Sequence, residues 1–95
     1  MKKATTWDAA DYLGTEADIA AYLNAAFEDG DTSVIAAALG DVAQAKGMTQ
    51  LSKETGITRD GLYKALSPAG NPSLDTVQKV VRAFGLKLDV SAVSA

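Results

Sequence analysis

Apolar residues return every three or four positions through most of this chain, the period of a helix that packs along one side. Ile19, Tyr22, Leu23, Ala26 and Phe27 make one such stripe, Val34, Ile35, Ala38, Leu39 and Val42 a second, and Leu74, Val77, Val80, Val81 and Phe84 a last one. Helix-start chemistry precedes each: Thr15 before Glu16 and Asp18, Asp31 before Thr32, and Ser73. The side-chain oxygens of such residues accept from the amides that a first turn leaves open. Gly30, Gly47 and Gly85 stand where these helices must stop. Two shorter helices are expected between them, over residues 49–55 and 59–66. The loop SPAGNP, residues 67–72, is a firm break, because each proline turns the residue before it away from helical backbone. Gly40 lies inside the second helix, where it costs about 1 kcal/mol against alanine, so a close approach by another helix is its expected reason.

After Gly85 the period changes. Leu86, Leu88 and Val90 alternate with Lys87, Asp89 and Ser91, which predicts a short strand. A strand alone leaves its backbone groups unpaired, so it wants a neighbour. The segment WDAADYL, residues 7–13, would supply one within the chain, and the same strand of a second copy would supply one between chains. A frayed tail is the third possibility. The organisation read from the pattern is a single domain over residues 1–95, with an N-terminal segment 1–14, a helical core 15–85 and a strand-like tail 86–95.

The chemistry concentrates in residues 48–66, MTQLSKETGITRDGLYKAL. Gly56 ends the first short helix, since glycine enters left-handed backbone without a Cβ penalty. Ile57 plugs the gap between the helices, and Thr58 caps the next one. Leu62, Ala65 and Leu66 turn inward at helical spacing, which leaves Arg59, Asp60, Tyr63 and Lys64 outside. Two cations, a carboxylate and an aromatic hydroxyl suit the reading of base edges and the holding of phosphates. An ordinary helical hairpin with a solvated outer face has the same pattern, and Asp60 and Lys64 would then be only a four-apart ion pair worth about 0.2–0.5 kcal/mol.

Composition narrows these readings. The chain has no cysteine and no histidine, which removes disulfides, thiolate zinc sites and the commonest general base together. Glu28, Asp29 and Asp31 around Gly30 lack the ligand spacing of a calcium loop, and the serines have no histidine to activate them. No enzyme, metal site or cofactor is expected. No apolar run is long enough for a signal peptide or a membrane span, so a cytoplasmic protein is the expectation. The net charge of −3 is unevenly spread: residues 1–45 hold two lysines against eight carboxylates, and residues 46–95 hold seven cations against four carboxylates. A basic half suits phosphates, and an acidic half suits either a basic protein partner or solvent alone.

Nearly the whole chain, more than its turn, resembles a known group. The stretches WDAADYL, DIAAYLNAAFEDGD, AALGDVAQAKGMTQLSKETGITRDGLYKALSPAGNPSLDTV and VVRAFGLKL are similar to the addiction-module antidote proteins, HigA-like antitoxins with an Xre/Cro-type helix-turn-helix. The string LYKALSPAGNPSLDT followed by AFGL is the most specific part of the match. The resemblance implies an all-α fold, a five-helix lambda-repressor-like domain with the short C-terminal strand. It implies a bacterial cytoplasmic antitoxin that neutralises a small basic toxin of the RelE/ParE class and represses its own operon as a homodimer on operator DNA. Carried onto this chain, base reading falls to Arg59, Asp60, Tyr63 and Lys64, with Thr58 at the helix start. Phosphate contacts fall to Thr49, Gln50, Ser67 and Asn71. The usual T-Q-x-x-L-A run is two residues shorter here, as Thr49, Gln50, Leu51 and Ser52, a departure that bears directly on Gln50. Asp60 also departs, since a carboxylate near phosphates helps only by accepting from a cytosine amine or by orienting Arg59.

From the acidic half, Glu16, Asp18 and Glu28 are the expected toxin contacts. From the tail, Val81, Phe84, Leu86, Leu88 and Val90 are the expected dimer contacts. A transcription regulator without a toxin shares the same DNA-reading residues, and a helical adaptor that binds only protein lacks salt-dependent DNA binding.

Overall fold

The computed structural model describes residues 13–93. Five helices follow one another: α1 (Glu16–Asp29), α2 (Thr32–Lys46), α3 (Met48–Thr55), α4 (Arg59–Ala65) and α5 (Leu74–Ala83). Their ends lie where the cap chemistry put them. Thr15 accepts from the Asp18 amide, Thr58 from Gly61 and Ser73 from Thr76. Asp31 accepts from both the amide and the hydroxyl of Ser33 at 2.9 Å. The Ser33 amide and then its hydroxyl hold the Asp31 carboxyl below its ordinary range. Gly30 and Gly56 end α1 and α3 in left-handed backbone at φ +82° and +77°.

Helix α2 is the hub. It packs against α1, α3 and α4, while α3 bridges onward to α5. Leu39 and Val42 of α2 meet Leu51 of α3, Leu62 of α4, and Val80 and Phe84 of α5 in the fully buried centre, and α1 adds Ile19, Leu23 and Ala26. Each such leucine or phenylalanine contributes about 1.5–3 kcal/mol through its removal from water.

Three stripe residues expected inside lie outside: Phe27 is 39% exposed, Val34 41% and Leu74 68%. All three sit in the first or last turn of a helix, where fewer neighbouring turns are available to cover a side chain. Ala36 and Ala43 are buried instead, both on α2, which is enclosed by neighbours on more of its circumference than the stripe implied.

The strand expected over residues 86–90 is absent among the described residues, whose regular elements are all helical. The chain leaves α5 through Gly85 at φ +86°, and the Leu86 amide donates to the Val81 carbonyl at 3.1 Å. Among the described residues no strand lies beside the tail to pair with it. The alternation governs burial as far as Leu88, because Leu86 and Leu88 pack on the core while Lys87 and Asp89 are exposed, but Val90, expected on the leucines' side, is exposed too. Of the WDAADYL segment considered as its neighbour, residues 7–12 lie outside the described residues, and Leu13 is buried in the core.

Gly40 has the close contact its position predicted. A Cβ built there would run into the carbonyl oxygen of Leu66, the residue that caps α4. Gly40→Ala should therefore destabilise the protein by about 1–3 kcal/mol through overpacking, although alanine favours a helix by about 1 kcal/mol. Urea denaturation checks it, and a gain in stability would place the α2–α4 contact elsewhere.

Candidate nucleic-acid interface

The turn between α3 and α4 is Gly56, Ile57 and Thr58, and four side chains fix it. Ser52 donates its hydroxyl to the Ile57 carbonyl at 2.5 Å. Thr55, buried at the end of α3, donates to the Leu51 carbonyl at 2.8 Å and accepts from the Ile57 amide at 3.2 Å. Both backbone polar groups of Ile57 are thus satisfied by α3, and its side chain lies half-buried against the core. Thr58 then accepts from the Gly61 amide at 3.0 Å and starts α4. Gly61 belongs to the same lock: a Cβ there would sit 3.1 Å from the Thr58 hydroxyl and 3.3 Å from an Ile57 methyl.

Locked this way, α4 buries Leu62 and turns Arg59, Asp60, Tyr63 and Lys64 to solvent, the division expected from the sequence. Asp60 and Lys64 form the four-apart pair, at 3.5 Å, both exposed. Asp60 is therefore turned toward Lys64, and Arg59 has no ion-pair partner among the described residues. Lys46, Lys53, Arg82 and Lys87 are likewise without one.

The residues expected at phosphates divide. Thr49 and Asn71 are exposed. Gln50 is exposed on α3, with its amide donating to Glu54 at 2.9 Å. Ser67 is half-buried and commits its hydroxyl hydrogen to the Lys64 carbonyl at 3.1 Å. The loop after α4 folds back on that helix: a Cβ on Gly70 would run into the Ala65 and Lys64 carbonyls, and the Gly70 amide donates to the Ser67 carbonyl at 2.8 Å. Helix α3 starts at Gly47 without a side-chain cap for its first-turn amides, in the turn that carries Thr49 and Gln50.

On the acidic side, Glu16, Asp18 and Glu28 are exposed along α1. The Glu16 carboxylate lies against Gly85 at the end of α5. Asp41 of α2 joins this side through a 2.6 Å hydrogen bond that it accepts from the Tyr22 hydroxyl. In the tail region Val81 and Phe84 are enclosed in the protomer's own core, Leu86 and Leu88 half-cover it, and Val90 is 94% exposed.

Sequence reasoning missed Ser52, Thr55, Gly61 and Asp41. A signal for the first two was present, since hydroxyl residues in the last turn of a helix before glycine readily bond to backbone. Nothing in the spacing of Asp41 pointed to Tyr22, nineteen positions away.

A family model described as "Probable addiction module antidote protein" matches residues 3–92. The chain belongs to that family. It is 44% identical over 84 residues to an uncharacterized protein of Haemophilus influenzae, and the aligned part covers 88% of this chain and 87% of the relative. No solved structure matches it. Membership in an antidote family implies a toxin as partner in general terms.

Thr55→Val keeps the shape of the side chain but leaves the Ile57 amide without its acceptor. A loss of about 1–3 kcal/mol is expected, as for a buried donor left unmatched. Equilibrium denaturation measures it, and an unchanged midpoint would mean that water replaces the hydroxyl and that the turn does not depend on it.

Proposed function

We propose that this chain is the antitoxin of a type II toxin–antitoxin pair, neutralising a small basic toxin of the RelE/ParE class and repressing its own operon. The single observation that carries the DNA-binding part is α4: one helix, fixed at both ends, that presents Arg59, Tyr63 and Lys64 outward, with Arg59 free of any intramolecular carboxylate among the described residues. In this reading α3 and α4 are an Xre/Cro-type helix-turn-helix. Arg59, Asp60 and Tyr63 read base edges, Lys64 holds phosphate, and Thr49, Gln50, Ser67 and Asn71 position the backbone of the duplex. Of these Ser67 contributes least through its hydroxyl, whose hydrogen is already engaged.

Helix α4 has seven residues, about 10 Å of helix at 1.5 Å per residue, and reaches only a few base pairs. Two copies on half-sites about one helical turn apart double the contacts. What supports a homodimer is the tail: residues 86–90 lie in no regular element, Val90 is exposed, and Leu86 and Leu88 are only partly buried against the core. The carboxylates of α1, including Glu16, Asp18 and Glu28, suit a basic toxin.

Two measurements test the reading. In gel shifts on the chain's own upstream DNA, Arg59→Ala should cost about 1–3 kcal/mol, concentrated at one base pair, while Lys64→Ala should weaken all sequences evenly. Wild-type affinity should fall steeply between low and moderate salt, and operator binding untouched by either change would remove the DNA-reading role of α4. Truncation after Gly85 should give a folded monomer with most operator affinity lost. A truncated form still dimeric by light scattering would put the dimer interface elsewhere.

A further inference from the structure

Helices α1 and α2 leave a shallow groove of about 460 Å³ on their outer side. Tyr22, Ala25 and Asp29 line it from α1, and Val34, Ala37 and Asp41 from α2. The floor is alanine, so another backbone can come close. Val34, one of the three stripe residues that fail to reach the core, is exposed here.

The groove has a carboxylate at each end. The Tyr22–Asp41 hydrogen bond marks one end, and Asp29 lies seven residues from Tyr22 along α1, about 10 Å or two helical turns away. Asp18 falls on the same stripe, at the spacing 18, 22, 25, 29. Every charged residue of α1 and α2 before Lys46 is an acid, and none of them makes an ion pair among the described residues. An apolar floor between unpaired carboxylates fits an occupant with the opposite pattern.

We infer that the α1–α2 groove is the surface on which the protein partner docks, and that it takes an amphipathic helix with small apolar residues in the middle and Lys or Arg about two turns apart at its ends. This rests on the antitoxin reading and makes it more specific: the contacts centre on Val34, Ala37, Asp29 and Asp41, with Asp18 one turn further along α1, while Glu16 lies against Gly85 and Glu28 is outside the groove's lining, so neither is a contact in this form of the reading. A basic helix gains apolar contact along the floor and replaces water at two carboxylates that have no competing cation.

The probe is the protein encoded by the reading frame next to this one, co-expressed with the full chain. Val34→Lys and Asp29→Lys change exposed side chains and should leave thermal unfolding and operator binding unchanged. Each should weaken the complex about tenfold or more, whereas Glu28→Lys, the same charge change outside the groove, should have a much smaller effect. A photo-cross-linking residue at position 37 should attach to a basic helical segment of the partner. Equal losses for Asp29→Lys and Glu28→Lys, with Val34→Lys at full affinity, would reduce the effect to general electrostatics and overturn the groove. Cross-links from position 37 to a second copy of this chain would overturn it as well, by making the groove a self-contact. If the wild-type chain forms no complex with that protein, the antitoxin reading falls, and the groove assignment with it.

Discussion

The position of α4 depends on a missing methyl group. Gly40 on α2 meets the carbonyl oxygen of Leu66 so closely that no side chain fits between them. That contact brings the C-terminal end of α4 down onto the hub helix, and the other end is held by the turn. Protein interiors are packed densely enough that a single carbon at this place is felt as displacement of backbone, which does not yield as a flexible side chain does. The glycine weakens α2 as a helix by about 1 kcal/mol, and the packing of Leu62 and Leu66 into the core offsets it.

The turn is built on the same principle of leaving backbone groups no alternative. Ile57 has no regular secondary structure to satisfy its amide and carbonyl, so Thr55 and Ser52 do it from α3. Its side chain meanwhile covers the join. The exposed set on α4 is thus rigidly placed although the side chains themselves are solvated, and the Asp60–Lys64 pair, exposed on both sides, adds only a few tenths of a kcal/mol. Its greater effect is on charge, since Asp60 partly cancels Lys64 and leaves Arg59 as the strongest unopposed cation of the helix.

Much of this was legible in the chain. Caps and glycines placed every helix to within a residue or so, because an amide needing an acceptor and a backbone needing positive φ are local demands that local residues must meet. The inner and outer faces of α4 were legible for the same reason. What the pattern could not give was where each stripe ends against its neighbours. Phe27, Val34 and Leu74 have the right spacing but lie at helix ends, and burial there is decided by the length of the partner element. Gly61 and Asp41 were illegible because their meaning lies in distance: one in the Thr58 and Ile57 atoms pressed against it, the other in a hydroxyl from another helix. The tail was half legible. Its alternation gave the inward leucines correctly, but a strand is a property of two segments, and one segment cannot specify the other.

Charge segregation along the sequence would let so small a chain address the two unlike partners of the proposed function. The two surfaces are nevertheless mechanically adjacent. Asp41 lines the proposed groove, and Gly40, the next residue, bears on Leu66 at the end of α4. A partner that shifted α2 would meet a contact with little slack, and α4 would have to move with it. Under the proposed function linkage would be reciprocal: DNA that holds α4 in one place would resist the same shift of α2.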